Sequence, residues 1–216
     1  MKAWLIALLL LAAATPAVPA AAIDDEAAFR RWAKANPEVG NFEKYLAGAQ
    51  LGGVIPTRQL VRTASDWQRC LGPQFDIPPP EQWPDVAQVL RLVVELKRRK
   101  ILREFEVASG YRNPPLNLCA KGAKKSSHAV SFAIDILPIG RDGVDELALC
   151  GFWVAEGQHW MMGLSKYPSG RIHLDTSGWR TWGADHSRGS AYCALPRAAP
   201  AKQKPAVKRS DEPARK

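Results

Sequence analysis

The sequence predicts an α+β fold, a small and mostly antiparallel sheet flanked by helices. Two patterns predict it. Apolar residues recur at spacings of three and four over residues 83–101, as in a helix that buries one face. Short apolar or alternating segments, each the length of a strand, follow at 104–109, 132–137, 160–164 and 171–175. Helices and hairpin-like loops separate these segments, and no internal repeat is present.

Taken in order, residues 25–35 place Ala28, Phe29 and Trp32 on one side of a short amphipathic helix, which Asn36-Pro37 should end. Phe42, Tyr45 and Leu46 suggest another short helix, closed by Gly48 or by Gly52-Gly53. Residues 63–70 carry weak signals, and Pro78-Pro79-Pro80 is a rigid connector. In the helix at 83–101, Pro84 suits the first turn. Val86, Val89, Leu90, Val93 and Leu96 form its apolar face. The run from Lys97 to Lys100 complements the dipole at its C-terminal end, which explains those cations without a ligand. Phe105, Val107 and Ser109 share a face of the first strand, and the turn at 110–115 presents Arg112 at its end. A helix is expected at 144–155, and a loop with Pro168 and Gly170 joins the last two strands.

The ends differ in chemistry from the middle. Lys2, an apolar run to Ala14 and the small residues Ala20-Ala21-Ala22 read as a secretory signal peptide over residues 1–22, cut after Ala20 or Ala22. The run is too short to cross a bilayer, so no transmembrane segment is expected after cleavage. No cysteine stands there to carry a lipid. Residues 23–69 read as an N-terminal helical segment and 70–196 as the main domain, the size of one core. The net charge of +9 concentrates in residues 197–216, where seven cations face two acids. That stretch is rich in Pro and Ala and reads as a disordered basic tail. Its expected contact is an anionic cell envelope rather than nucleic acid, which an exported protein rarely meets. The four cysteines all lie in the exported part without C-x-x-C spacing. They suggest two disulfides, with three possible connectivities, rather than a zinc ribbon. Together these features place the protein in the periplasm or outside the cell.

One constellation carries chemistry. Asp135 stands between Ile134 and Ile136, where an ionised carboxylate needs a cationic partner. A divalent cation would serve; so would an ion pair to Arg112 or Arg171. His128 lies seven residues earlier, and a bend near Ser131 must turn it to the side of Asp135. In the strand at 171–175, Ile172 and Leu174 face the core, while Arg171, His173 and Asp175 share the other face. Two histidines and a carboxylate suit zinc better than calcium or magnesium. Three protein ligands with a fourth position open mark a catalytic rather than a structural zinc site, and point to a hydrolase. His159 and His186 read as structural or surface residues.

At these residues the chain resembles the zinc D-Ala-D-Ala carboxypeptidases. The resemblance lies in Ser109-Gly110-Tyr111-Arg112-Asn113-Pro114, in Ser127-His128 through Ala133-x-Asp135, and in His173 followed by Arg180-x-Trp182. The superfamily includes vancomycin-resistance D,D-dipeptidases, phage endolysins, murein endopeptidases and the hedgehog domain. The resemblance spans about residues 70–193. It implies a hedgehog/D-Ala-D-Ala peptidase-like fold, with His128, Asp135 and His173 binding Zn²⁺. Arg112 and Ser127 would hold the substrate. Two departures stand out. Ser131 replaces a usual Gly. Gly170 and Arg171 occupy positions where many relatives carry an acid or histidine before the third ligand. Asp175 is the nearest candidate base; it would either activate the zinc-bound water or orient His173. The implied function is hydrolysis of peptide bonds in peptidoglycan stem peptides, as a carboxypeptidase or cross-link endopeptidase. A non-catalytic, zinc-containing wall-binding module is the alternative. The expected disulfides are Cys70–Cys119, tying the segment before the long helix to the loop carrying Arg112, and Cys150–Cys193.

Overall fold

The computed structural model describes residues 25–187 and 189–193. The expected signal peptide and basic tail lie outside them. Helices α1 (Asp25–Ala35) and α2 (Glu38–Gly48) form where the periodicity places them. A short helix α3 (Thr57–Leu60) and a 3-10 turn (Pro80–Gln82) lead into α4 (Trp83–Arg98). Strand β1 (Phe105–Ser109), helices α5 (Pro114–Cys119) and α6 (Ser127–Val130) and strand β2 (Ala133–Pro138) follow. Helix α7 (Glu146–Glu156) precedes β3 (Gly163–Lys166), β4 (Ile172–Asp175) and β5 (Arg180–Trp182).

The fold is α+β, and its sheet has five strands in the order β1-β2-β4-β3-β5. The expected mostly antiparallel sheet is a mixed one. β1, β2, β4 and β3 pair antiparallel, but β5 lies parallel to β3. The chain leaves β4 through a tight turn and returns on the far side of β3, which fixes that direction. The strand expected at 160–164 begins later. Residues 160–162 finish the exit from α7, with Met161 at φ 48° and Met162 N–H donating to Gly157 O at 2.8 Å.

The core lies between α4 and the sheet. Val86, Val89, Leu90, Val93 and Leu96 are all fully buried, together with Ile134, Ile136, Ile172 and Leu174. The N-terminal helices join that same core through Phe42, Leu46 and Leu60. The buried carboxylate of Asp25 strengthens the junction, taking Arg58 at 2.8 Å and Arg62 at 2.6 Å. Arg62 also donates to Val107 O in β1 at 2.8 Å. The basic end of α4 is a helix end and a strut. Glu95 takes Arg98 and Arg99, and Arg99 reaches Glu156 on α7 at 2.8 Å. The cysteines pair as expected, Cys70–Cys119 and Cys150–Cys193, and no free cysteine remains. No helix of the described residues is long and apolar enough to cross a membrane.

Candidate metal centre

Register brings the three candidate ligands together. Asp135 in β2 pairs with His173 in the adjacent β4, so both side chains leave the same face of the sheet. His128 arrives from α6, a single helical turn. The turn ends at Ser131, with φ −141° and ψ −119°, and Ser131 Oγ–H donates back to Ser127 O at 3.3 Å. The chain then enters β2 with His128 already on the Asp135 side. This is the bend that the seven-residue spacing requires.

His128 Nε2 lies 3.1 Å from Asp135 Oδ1, and His173 Nδ1 lies 3.2 Å from the same oxygen. One ligand atom from each residue falls within 4.8 Å of the others, and all three residues are buried. Ligands at about 2.0–2.2 Å around a tetrahedral ion stand about 3.3–3.6 Å apart. The two histidine–carboxylate separations, 3.1 and 3.2 Å, fall only a few tenths of an ångström short of that.

The other ring nitrogens are held from outside the cluster, and the facing ones both point at Asp135 Oδ1. His128 Nδ1 bonds Gly110 O at 2.7 Å, and His173 Nε2 bonds Asp175 Oδ2 at 2.8 Å. Each outer nitrogen has an acceptor, so with its proton there the inner nitrogen would present a lone pair to a cation, the outer support that metal-binding histidines have. Burial, reinforced by Arg112, pushes His128 down to about 4, so the ring is neutral near pH 7. Burial works against ionisation of Asp135, but His128, His173 and Arg112 outweigh it and hold the carboxyl well below its usual range. For His173, Asp135 and Asp175 overcome burial and raise the ring. A group of buried anions and convergent imidazoles fits a divalent cation.

Arg112 Nη2 donates to Asp135 Oδ2 at 2.6 Å, and its Nε to Ser109 Oγ at 2.9 Å. The ion-pair partner of Asp135 is therefore Arg112, not Arg171, and it takes the oxygen turned away from the histidines. The Ser109-Gly110 turn sets this up. Gly110 N–H donates to Arg62 O at 2.7 Å, and a Cβ at Gly110 would stand 2.5 Å from Leu60 O. Only glycine fits so close an approach.

Asp175 shares its strand face with His173, as alternation predicts, but that face is covered rather than open. Asp175 is 0% exposed. It accepts from Arg180 Nη2 at 2.7 Å and from the Ser177 N–H and hydroxyl at 2.8 and 2.7 Å. Burial opposes its ionisation, yet His173, Arg180 and Ser177 keep it anionic. It stands behind His173, away from the cavity wall, and its geometry suits the orienting role. Ser127, buried at the start of α6, meets Ser177 Oγ at 2.8 Å and accepts from Arg180 Nη2 at 2.9 Å.

A cavity of about 570 Å³ opens over the cluster. Its wall includes Arg112, Ser127, Tyr167, Arg171, Arg180, Trp182 and His186 as well as the three candidate ligands. Tyr167 and His186 are the residues that sequence reasoning missed here. Tyr167 Oη stands 3.5 Å from His173 Nδ1, and burial raises its phenol, which stays protonated. Trp182 packs edge-on against His173 with ring centres 5.1 Å apart. Nothing local in the sequence distinguishes Tyr167 from a turn residue or His186 from a surface one. Tyr167 reaches the cavity from the β3–β4 connection, where its N–H donates to Arg171 O at 2.8 Å, and His186 from the stretch after β5.

No family model, curated protein or solved structure matches the chain.

Proposed function

We propose that the protein is an exported zinc peptidase that cleaves peptide bonds in peptidoglycan stem peptides, a periplasmic or secreted hydrolase. The observation that carries this reading is the buried His128, Asp135, His173 cluster in the wall of an open cavity, with the inner ring nitrogens converging on Asp135 and the outer ones held by Gly110 O and Asp175. The order of the three motifs shared with the zinc D-Ala-D-Ala carboxypeptidases and the two disulfides of an exported chain support it.

Zinc held by these residues would supply a water of pKa near ~7 and a Lewis acid for the scissile carbonyl. The chain's own groups do the rest. Arg112 has Nη2 on Asp135 and Nε on Ser109, which leaves its remaining nitrogen for a substrate carbonyl or carboxylate. The protonated Tyr167 hydroxyl faces the cluster as a neutral donor. Asp175 and Arg180 hold His173 in place. His186 is the cavity imidazole outside the cluster, and we assign it the transfer of a proton from water to the leaving amine.

The test is mass spectrometry of purified peptidoglycan digested by the zinc-loaded protein, with and without chelator. Chelator-sensitive loss of terminal D-alanine identifies a carboxypeptidase, and loss of cross-linked dimers an endopeptidase. An unchanged muropeptide profile from protein that retains zinc would replace the enzyme with a wall-binding module. One observation favours that second reading: Asp135 is the sole carboxylate on the cavity wall among the described residues.

A further inference from the structure

The cavity wall is strongly unbalanced in charge. Arg112, Lys121, Lys125, Arg171 and Arg180 line it, against the single carboxylate of Asp135. Arg112 is engaged with Asp135, and Arg180 with Asp175. The other three cations have no carboxylate within ion-pair distance among the described residues. Arg171 donates instead to the hydroxyls of Ser65 at 2.5 Å and Ser169 at 3.1 Å, and lies 5.7 Å over the Tyr167 ring. Lys121 and Lys125 are exposed on the cavity rim.

The segment carrying these lysines is fastened down. Cys119, just before it, is bonded to Cys70. Lys121 sits in a left-handed turn at φ 60°, its N–H donating to Leu118 O at 3.1 Å. Gly122 N–H donates to Asn117 O at 2.8 Å, and the buried Asn117 side chain donates to Ala123 O at 3.0 Å. A Cβ on Gly122 would collide with that Asn117 side chain, so the wall depends on this close contact. The backbone beneath the two ammonium groups is thus set before any ligand arrives, which lowers the ordering cost of binding an anion.

We propose that Lys121, Lys125 and Arg171, which line the same cavity, form a second anion-recognition wall. It selects peptides bearing a free carboxylate in addition to the group held at Arg112 and the metal cluster. The inference rests on the peptidase reading above and narrows its substrate to acidic stem peptides. Peptides whose second carboxylate is a carboxamide are then poor ligands. An amide lacks the charge that three unneutralised cations attract, and it brings donors toward a wall of donors.

The experiment compares two synthetic stem peptides with the same D-Ala-D-Ala end. One carries a free carboxylate at its second residue, and the other the matching carboxamide. The zinc-loaded protein and its Lys121→Gln/Lys125→Gln variant are assayed with both. The expected result is a preference in kcat/KM of about tenfold for the acid, the size that a few partly exposed ion pairs supply. It should appear chiefly in KM, shrink as salt rises, and fall toward one in the variant. Equal rates for the two peptides, or a preference untouched by the double substitution, would overturn the proposal and leave the peptidase reading standing. Cleavage of neither peptide would instead remove the peptidase reading. Calorimetric binding then decides: acid-selective binding lost in the variant keeps the anion wall, and equal or absent binding removes it.

Discussion

An ionised carboxylate at 1% exposure between two isoleucines survives only by exact accounting of its two oxygens. Asp135 Oδ2 is satisfied by Arg112, and Oδ1 is directed at His128 and His173. Asp135→Asn keeps the shape but loses the charge and turns a donor toward the cluster. We expect it to lose stoichiometric zinc, measured by elemental analysis after dialysis, while far-ultraviolet circular dichroism is retained. Asp175 acts one bond further out. Asp175→Asn should weaken zinc binding by about ten- to a hundredfold in a chelator competition, as loss of a carboxylate behind a metal-bound histidine does. Unchanged affinity would leave Asp175 with a packing role alone. His186 separates from both. His186→Ala should lower kcat by about a hundredfold or more with zinc content unchanged, and an unaltered kcat would move the proton transfer elsewhere.

At the scale of elements, the site depends on two strands meeting in one register. Gly163 in β3 pairs with Asp175 in β4, and a Cβ there would collide with the Asp175 carboxylate. Gly163→Ala should therefore displace Asp175, loosen His173 and lower both the unfolding midpoint and zinc affinity. A denaturant titration and the same chelator competition check the two effects. Helices and strands with clear periodicity were legible in the sequence: α1, α2, α4, β1, β2, β4 and α7 all form near their expected places. Helix α4 is the strongest case, because five apolar residues at spacings of three and four can be buried together only on a helix. The short pieces were not legible. α3 and α6 are single turns, and β5 has three residues, none of them buried. No period can be read over three or four residues. The start of β3 was misplaced because Trp160, Met161 and Met162 have the composition of a strand, while the exit of α7 holds their backbone in a turn.

On the scale of the whole molecule, the two disulfides clamp the parts of the chain that frame the cavity. Cys70–Cys119 closes 49 residues and anchors the lysine-bearing segment; Cys150–Cys193 closes 43 and ties the stretch after β5 to α7. Loops of this length give about 2–4 kcal/mol each through restriction of the unfolded chain. Reduction should lower the melting temperature. Cys150→Ser/Cys193→Ser should do so by about 4–16 °C for a domain of this size, and an unchanged melting curve would deny the bridge a stabilising role. By itself, the sequence determined the α+β composition, the long helix, the presence of two disulfides and the His128, Asp135, His173 set, while the pairing of the cysteines was decided by the fold. Each feature read from the sequence is a matter of local period or residue chemistry, and survives without knowledge of long-range contacts. The tertiary structure alone decided the parallel placement of β5, the burial of Asp175 behind His173, the commitment of Arg112 to Asp135, and the arrival of Tyr167, His186 and the lysines at one cavity. These depend on which segments become neighbours after the sheet closes, and pairing between distant residues leaves no periodic trace along the chain.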